Sequence, residues 1–320
     1  MNAPPPKFEQ TATFDEIEAD EAQLNARRLQ LYSKHALKVG LPVDRIYINH
    51  PRFDTGLKTL DRVFQIAPEV TMPHGVRLIG PTGSGKSALF RYFRDSLPRS
   101  SLFTEGLGAI GIRFGPKPTA GQLVAALLRA YRYPFSYGSG KTVYAKCDIV
   151  YDLIREKGTR LLFVDEAHRL LNQVRRNERN GAEPDATNVL RDLIDECKIA
   201  VVLAGTDLLD GLDKVDTHLL DRVPVRHELR YFNPDSQWMG ILRAFVKQCQ
   251  TFDLAIISDT SEAKLLHMVT GGSLRRLKRL LTEAVLIAAD AGKTALDRES
   301  IALAVALTNG YDSLLANPYA

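Results

Sequence analysis

The chain has 320 residues, of which 45% are hydrophobic and 25% charged, a composition typical of a soluble protein with one large domain and a smaller one. The apolar runs are far shorter than the ~20 residues of a membrane-spanning helix, and the N-terminus does not resemble a signal peptide, so a cytoplasmic protein without a membrane partner is expected. Three widely spaced cysteines and seven scattered histidines fit neither a disulfide framework nor a zinc site, and a net charge of +4 permits a nucleic-acid partner without requiring one.

Residues 1–44 are predicted to form an N-terminal extension, partly disordered and partly helical. Three consecutive prolines at 4–6 favour a stiff, unfolded start. The stretch 14–38 is polar and helix-prone, with a sparse apolar stripe that consists of Ile17, Leu24, Leu31 and Leu37. Such a stripe suits docking onto the rest of the protein or onto a partner.

Strands and amphipathic helices alternate from residue 45 to residue 231. The predicted strands are Val76–Ile79, Ile110–Phe114, Leu161–Val164, Ile199–Ala204 and Val223–Leu229. The predicted helices are 88–97, 119–131, 142–157 and 185–197. Nearly continuous apolar strands indicate burial on both faces, which predicts an α/β domain of three layers with a central parallel sheet.

The segment after the first predicted strand matches GxxxxGK(S/T), the pattern of a phosphate-binding loop. Glycines let successive backbone N–H groups turn toward phosphate oxygens, and the helix that follows adds its positive dipole end. Lys86 can reach the β- and γ-phosphates, and the Ser87 hydroxyl can ligate Mg²⁺. The predicted nucleotide-binding residues are Gly80, Pro81, Thr82, Gly83, Ser84, Gly85, Lys86, Ser87 and Ala88.

Two carboxylates, Asp165 and Glu166, end the third predicted strand. In enzymes with a phosphate-binding loop, an aspartate at this position holds Mg²⁺, so Asp165 joins Ser87 as a predicted metal-side residue. Glu166 can deprotonate a water for attack on the γ-phosphate. The alternative is a pair of solvent-exposed acids at a strand end.

Thr206 follows the fourth predicted strand. If that strand lies beside the one that carries Asp165, the hydroxyl can touch the attacking water or the γ-phosphate. The alternative is a helix N-cap, a position where threonine is also favoured.

Three arginines are candidates for stabilising transition-state charge. Arg222 precedes the fifth predicted strand and can act on a neighbouring subunit's γ-phosphate; the alternative is a surface ion pair with Asp221, and Arg226 is the rival candidate. Arg275 opens a helix after Gly271 and Gly272 and can reach the phosphates. The alternative is a place on the solvent-facing side of an amphipathic helix, which its spacing also suits.

The pattern becomes purely helical after residue 233. Apolar stripes at 238–249, 265–269, 274–285 and 297–308 predict a small all-α domain over residues 232–310, followed by a tail over 311–320.

Together these motifs resemble the AAA+ superfamily of ATPases, in which Arg222 would be the arginine finger, Thr206 sensor 1, Arg275 sensor 2 and the helical domain a lid. The segments 48–61 and 203–206 look like the TniB/TnsC family, ATP-dependent regulators of transposons. The resemblance implies ATP and Mg²⁺ as cofactors, homo-oligomeric rings or helical filaments on double-stranded DNA, and two protein partners, a DDE transposase and a TniQ-type targeting factor. It also implies that the segment from His50 to Phe53 helps to hold adenine.

DNA contacts are expected mainly with phosphate, through basic side chains on loops after the second strand. Lys117, Thr119 and Lys141 are the candidates, with Arg175 and Arg176 next. The last two lie in a basic segment, 169–179, that is longer than the family resemblance leads us to expect.

Two other functions compete with transposition. An AAA+ replication initiator or helicase loader would be favoured by an appended winged-helix domain, and we expect the lid to run nearly to the C-terminus instead. A metabolic P-loop kinase must exclude water, whereas Glu166 beside Asp165 suits activating one.

Overall fold

The computed structural model describes residues 31–97, 107–134, 143–172, 185–309 and 317–319, and the structural statements below concern these residues. They divide into two compact units. The first comprises residues 49–232 together with 272–275, and the second comprises the residues before 49, residues 233–271 and those after 275. None of the described helices is long and apolar enough to span a membrane.

Five parallel strands form the sheet of the first unit, and they lie in the order β2-β3-β4-β1-β5. Their bounds are β1 Val76–Ile79, β2 Ala109–Arg113, β3 Leu161–Asp165, β4 Ala200–Gly205 and β5 Val225–Glu228. Each strand lies within two residues of its predicted bounds. The prediction of an α/β domain with a central parallel sheet is therefore confirmed.

Eleven α-helices are described in the two units. They are α1 Lys34–Asp44, α2 Pro51–Ile66, α3 Lys86–Ser96, α4 Ala120–Ala130, α5 Val143–Glu156, α6 Ala186–Cys197, α7 Thr217–Arg222, α8 Ser236–Gln248, α9 Thr260–Thr270, α10 Leu274–Asp290 and α11 Arg298–Asn309. Short 3₁₀ segments follow β3 at Ala167–Asn172 and β4 at Asp207–Lys214.

The sheet separates two apolar cores, and β3 contributes alternate side chains to each. Leu162 and Val164 belong to the core that includes α4, α5 and α6, whereas Leu161 and Phe163 belong to the core formed with α2 and α3. Because both faces of the strand are buried, its sequence is apolar without interruption. Every residue of β4 is buried, in keeping with its central place in the sheet.

The strand order decides where the polar loops meet. β4 lies between β3 and β1, so the carboxyl ends of these three strands are adjacent at one edge of the sheet. The phosphate-binding loop follows β1, the two carboxylates end β3, and Thr206 follows β4. In open parallel sheets this edge is where ligands bind.

The second unit packs α1 together with the C-terminal helices. Gly40 of α1 lies against Leu286 of α10, so closely that an added Cβ would come within 2.6 Å of the leucine side chain. The Thr251 hydroxyl donates to the Val39 carbonyl at 2.8 Å. The sequence analysis treats residues 1–44 as a separate extension, but α1 is part of the helical unit. Of the predicted N-terminal stripe, Leu31 and Leu37 are exposed, while Ile17 and Leu24 lie outside the described residues.

Candidate nucleotide-binding site

The phosphate-binding loop connects β1 to α3, which begins at Lys86. Gly83 and Gly85 have φ angles of +85° and +106°, a left-handed backbone that glycine adopts without strain. The Lys86 ammonium donates to the carbonyls of Gly80 at 2.5 Å and Pro81 at 2.9 Å, so it is held within the loop. Burial lowers the pKa of Lys86, and the nearby Asp165 carboxylate acts in the opposite direction.

Ser87 and Asp165, the two predicted metal-side residues, are brought together. The Ser87 hydroxyl donates to Asp165 Oδ2 at 2.9 Å, and Asp165 Oδ1 accepts from the backbone N–H of Glu166 at 3.0 Å. A hydroxyl and a carboxylate in contact supply the oxygen ligands that Mg²⁺ prefers. The residues present therefore fit a bound magnesium ion.

Glu166 stands at the same edge of the sheet with a left-handed backbone, φ +58°, which is uncommon for a residue with a side chain and typical of strained functional positions. Its carboxylate lies 3.1 Å from the Arg169 guanidinium, which also donates to the Phe114 carbonyl at 2.9 Å. Arg113 and the His168 imidazole each lie 3.8 Å away. The sequence analysis does not assign roles to these three neighbours, although only Ala167 separates His168 and Arg169 from the acidic pair.

Thr206 lies at the tip of β4, and its hydroxyl oxygen is buried without a hydrogen-bond partner among the described residues. It occupies the N-cap position of the 3₁₀ segment, but its side chain makes no capping hydrogen bond. The hydroxyl of Ser84 in the phosphate-binding loop is likewise buried and unpaired. Because an unpaired buried hydroxyl is costly, two of them at one site indicate that a polar ligand belongs there.

Arg275 lies beside the phosphate-binding loop. A Cβ added to Gly83 would come within 3.1 Å of Arg275 Cβ and 3.3 Å of the Ser273 hydroxyl, so these two residues approach the loop backbone closely. The positive charge of Arg275 also contributes to the lowered pKa of Lys86, after the larger effect of burial. The structure therefore brings this predicted residue to the site.

The other two candidate arginines, Arg222 and Arg226, form ion pairs with acids that are not part of the loop. The guanidinium of Arg222 pairs with Asp195 on α6, at distances of 2.6 to 3.1 Å, and not with Asp221. Arg226 pairs with Asp210 and Glu228. Within the described part of the chain, no hydrogen bond or ion pair joins either arginine to residues 80–88.

An aromatic cluster includes His50 and Phe53, the ends of the segment that the family resemblance assigns to holding adenine. His50 caps α2, accepting from the backbone N–H of Phe53 at 3.3 Å, and burial lowers its pKa to about 4. The His50 ring meets the Phe232 ring edge-on, with centroids 4.9 Å apart. The Tyr231 hydroxyl donates to the Thr82 carbonyl at 2.6 Å. Tyr231 and Phe232 are missed by the sequence analysis, though their place shortly after the fifth strand is a usable signal.

The predicted DNA residues are only partly described. Lys117 is exposed between β2 and α4. Thr119 caps α4, where its hydroxyl accepts from the backbone N–H of Gln122 at 3.3 Å, so this side chain has a structural role. Lys141, Arg175 and Arg176 lie outside the described residues.

Three solved structures share this fold at low sequence identity. The ORC2 protein of Aeropyrum pernix, in ADPNP–ADP complexes, has a TM-score of 0.60 and 16% identity, with 80% of this chain and 67% of that chain covered. The ORC1 protein of Aeropyrum pernix in complex with DNA has a TM-score of 0.57 and 18% identity, with 82% and 66% covered. The Drosophila ORC bound to DNA has a TM-score of 0.52 and 15% identity, with 96% and 70% covered. This chain thus spans about two thirds of the two archaeal proteins.

The phosphate-binding loop, the acidic pair at the end of β3 and the shared architecture define an AAA+ ATPase fold. The model of a family described as bacterial TniB protein matches residues 43–231, which is more than half of the chain. The chain therefore belongs to the TniB family. No curated protein matches the sequence.

Proposed function

We propose that this protein is an ATP-dependent, DNA-binding regulator of transposition. Its subunits assemble as a ring or helical filament on duplex DNA and recruit a DDE transposase, and ATP hydrolysis ends the assembly. Membership of the TniB family supports this function. The observation that carries the ATPase is the contact of Ser87 with Asp165 beside Glu166, at the edge of the sheet where Thr206 presents an unpaired hydroxyl.

The roles of the site residues follow from this arrangement. Ser87 and Asp165 would hold Mg²⁺, which when bound neutralises charge on the phosphates. Lys86 contributes its own positive charge to the same phosphates. Glu166 accepts the proton of the water that attacks the γ-phosphorus, while the bond between that phosphorus and the ADP oxygen breaks. Thr206 donates to, or accepts from, the attacking water and so orients it.

A second subunit completes the site in this proposal. Arg222 of one subunit faces the γ-phosphate of the next, and Arg275 acts from within the subunit that binds ATP. Because ATP then joins two subunits, nucleotide binding drives assembly and hydrolysis weakens it. The position of Arg275 beside the phosphate-binding loop supports a role in sensing the bound nucleotide.

DNA binding is proposed through phosphate contacts by basic side chains such as Lys117. The same fold is seen in complex with DNA in the ORC1 protein of Aeropyrum pernix and in the Drosophila ORC. Binding through phosphates releases counterions, so assembly on DNA should weaken steeply as salt is raised.

A replication initiator or loader is the second candidate, and the shared fold with ORC proteins favours it. The family match favours transposition instead, because it concerns this sequence over residues 43–231 and not the architecture alone. The two candidates differ in their partners: a transposase and a TniQ-type factor in one case, a replicative helicase in the other.

Electron microscopy of the protein with duplex DNA, with and without a slowly hydrolysed ATP analogue, tests the proposal. Rings or filaments that need both DNA and the analogue are expected, and they should retain a purified DDE transposase in a co-sedimentation assay. A protein that stays monomeric on DNA with the analogue would contradict the assembly. Retention of a replicative helicase in place of the transposase would favour the loader.

A further inference from the structure

Two arginines four residues apart, Arg222 and Arg226, each form a bidentate ion pair with an aspartate. Arg222 at the end of α7 donates from Nε to Asp195 Oδ1 at 2.9 Å and from Nη2 to Asp195 Oδ2 at 2.6 Å. Arg226 on β5 donates from Nε to Asp210 Oδ1 at 3.1 Å and from Nη2 to Asp210 Oδ2 at 2.9 Å. Such two-point pairs are the strongest geometry that an arginine makes with a carboxylate.

The two arginines differ in how firmly acidic side chains hold them in place. Arg226 contacts a second acid, Glu228, at 3.3 Å, and its first acid, Asp210, also binds Arg77. Arg222 contacts Asp195 alone among acids within 4 Å in the described residues, and its Nη1 donates to the His218 carbonyl at 2.9 Å. Arg222 is therefore the arginine whose acidic partner is easiest to exchange for another anion.

We propose that Asp195 is a positioning residue that holds Arg222 within its own subunit, and that subunit assembly exchanges this carboxylate for the phosphate of the neighbouring subunit's ATP. This inference rests on the proposed function, since it needs Arg222 to act between subunits. Asp195 thereby sets the protein concentration at which ATP-bound subunits assemble. It raises the concentration needed for assembly without touching the nucleotide itself.

The physical reason is a competition between two anions for one guanidinium. The pair is mutually stabilised: Arg222 lowers the pKa of Asp195, chiefly through the side-chain hydrogen bonds, and Asp195 raises the pKa of Arg222. A γ-phosphate carries more charge than a carboxylate and can replace it, but the pair must first be broken. The side chains of Arg222 and Asp195 are 22% and 37% exposed, so water screens the pair.

The strength of the ion pair between Arg222 and Asp195 limits how far its removal can shift the assembly concentration. Partly exposed ion pairs contribute roughly 0.2–1 kcal/mol, which corresponds to about a 1.4- to five-fold change in an equilibrium constant. Asp195→Asn keeps the shape and one acceptor but removes the charge. We expect it to lower the protein concentration for half-maximal assembly about 1.4- to five-fold.

The experiment measures half-maximal assembly on duplex DNA with a slowly hydrolysed ATP analogue, by mass photometry, for the wild type and Asp195→Asn. Asp195→Ala provides a second variant that removes the acceptor as well. Asp210→Asn is the matched control, because it releases Arg226 from its forked pair and should leave the assembly concentration unchanged. Thermal melting of each protein without nucleotide reports folding separately, and a purely structural role for Asp195 would lower both the melting temperature and the extent of assembly.

The double variant Asp195→Asn with Arg222→Ala separates the possible results. If Asp195 acts through Arg222, the gain in assembly disappears once Arg222 is absent. Asp195→Asn could assemble as the wild type does, or more weakly, while Arg222→Ala is defective. That result would show that Asp195 does not restrain Arg222, and it would leave the proposed function intact. Normal assembly of Arg222→Ala would overturn both the restraint and the role of Arg222 between subunits.

Discussion

Ser87 donates a hydrogen bond to Asp165 across 2.9 Å, although β1 and β3 are not neighbours in the sheet. β4 lies between these two strands, and Thr206 follows it. The contact thus joins the phosphate-binding loop to the metal-side acid at the end of β3. Substitutions at this edge should therefore affect nucleotide chemistry more than the stability of the fold.

Lys86→Ala should abolish nucleotide binding and, with it, assembly on DNA. Charge-assisted hydrogen bonds to phosphate are each strong, so the loss of this ammonium should weaken ATP binding on the order of 100-fold or more. Titration with a fluorescent ATP analogue measures the dissociation constant directly. Lys58→Ala is the matched control, because Lys58 is exposed and pairs only with Asp54 on its own helix in the described structure. ATP-dependent assembly that survives in Lys86→Ala would refute the proposal that ATP binding drives assembly.

Thr206→Val should slow hydrolysis on the order of 100-fold while leaving the free energy of unfolding unchanged or slightly higher. The substitution removes a buried hydroxyl that has no partner in the described residues, so no hydrogen bond of the fold is lost. Single-turnover hydrolysis and urea denaturation measure the two quantities.

Thr159→Val is the control for Thr206→Val. The Thr159 hydroxyl accepts from the Tyr131 hydroxyl at 2.8 Å and donates to the Leu107 carbonyl at 2.7 Å. Its loss should destabilise the protein by about 1–3 kcal/mol and leave the rate of hydrolysis at the folded site unchanged. If Thr206→Val instead destabilised the fold as much as Thr159→Val and hydrolysed ATP normally, Thr206 would be a structural residue.

Much of this site can be predicted from the sequence because its signals are local. The apolar strands stand out since both faces of the sheet are covered, and the residues that follow β1, β3 and β4 form motifs with fixed spacing. The phosphate-binding loop, Asp165 and Thr206 are therefore found by reading along the chain.

The contacts that the sequence does not reveal are tertiary. Asp195 forms an ion pair with Arg222, 27 positions further along the sequence, and this pairing depends on how α6 packs beside α7. Arg113 reaches Glu166 only because β2 and β3 are paired in register. The place of α1 in the helical unit depends on the close contact of Gly40 with Leu286, 246 positions away. No local sequence pattern predicts this contact.

His50 should make the protein less stable in mild acid. Its pKa is about 4 in the folded protein and about 6.5 in the unfolded chain, so below pH 6.5 the unfolded state takes up a proton that the folded state does not. Stability from this group is present above pH 6.5 and is lost as the pH falls toward 4. Between pH 7 and pH 5 the loss should be about 2 kcal/mol.

Urea denaturation of His50→Asn at pH 7 and pH 5 measures the contribution of His50. Asparagine is a good N-cap, so the variant keeps an acceptor for the Phe53 backbone N–H while removing the titrating ring. The stability of His50→Asn should fall less than that of the wild type between the two pH values. His35→Asn, on the exposed face of α1, is the matched histidine-to-asparagine control. An equal pH dependence in His50→Asn would show that His50 is not the group responsible.

Glu166→Gln should separate ATP binding from hydrolysis. The amide keeps the shape of the side chain and an oxygen for Arg169, but it cannot accept a proton from water, so hydrolysis should fall by about 10²- to 10⁴-fold. Because ATP still binds, the oligomer on DNA should persist after free ATP is diluted, whereas the wild type should fall apart as it hydrolyses. Steady-state phosphate release and dilution-chase electron microscopy measure these two effects. Glu156→Gln, at the exposed end of α5, should behave like the wild type in both assays. Hydrolysis at the normal rate in Glu166→Gln would remove Glu166 as the base, and rapid disassembly without hydrolysis would show that the assembly ends by another route.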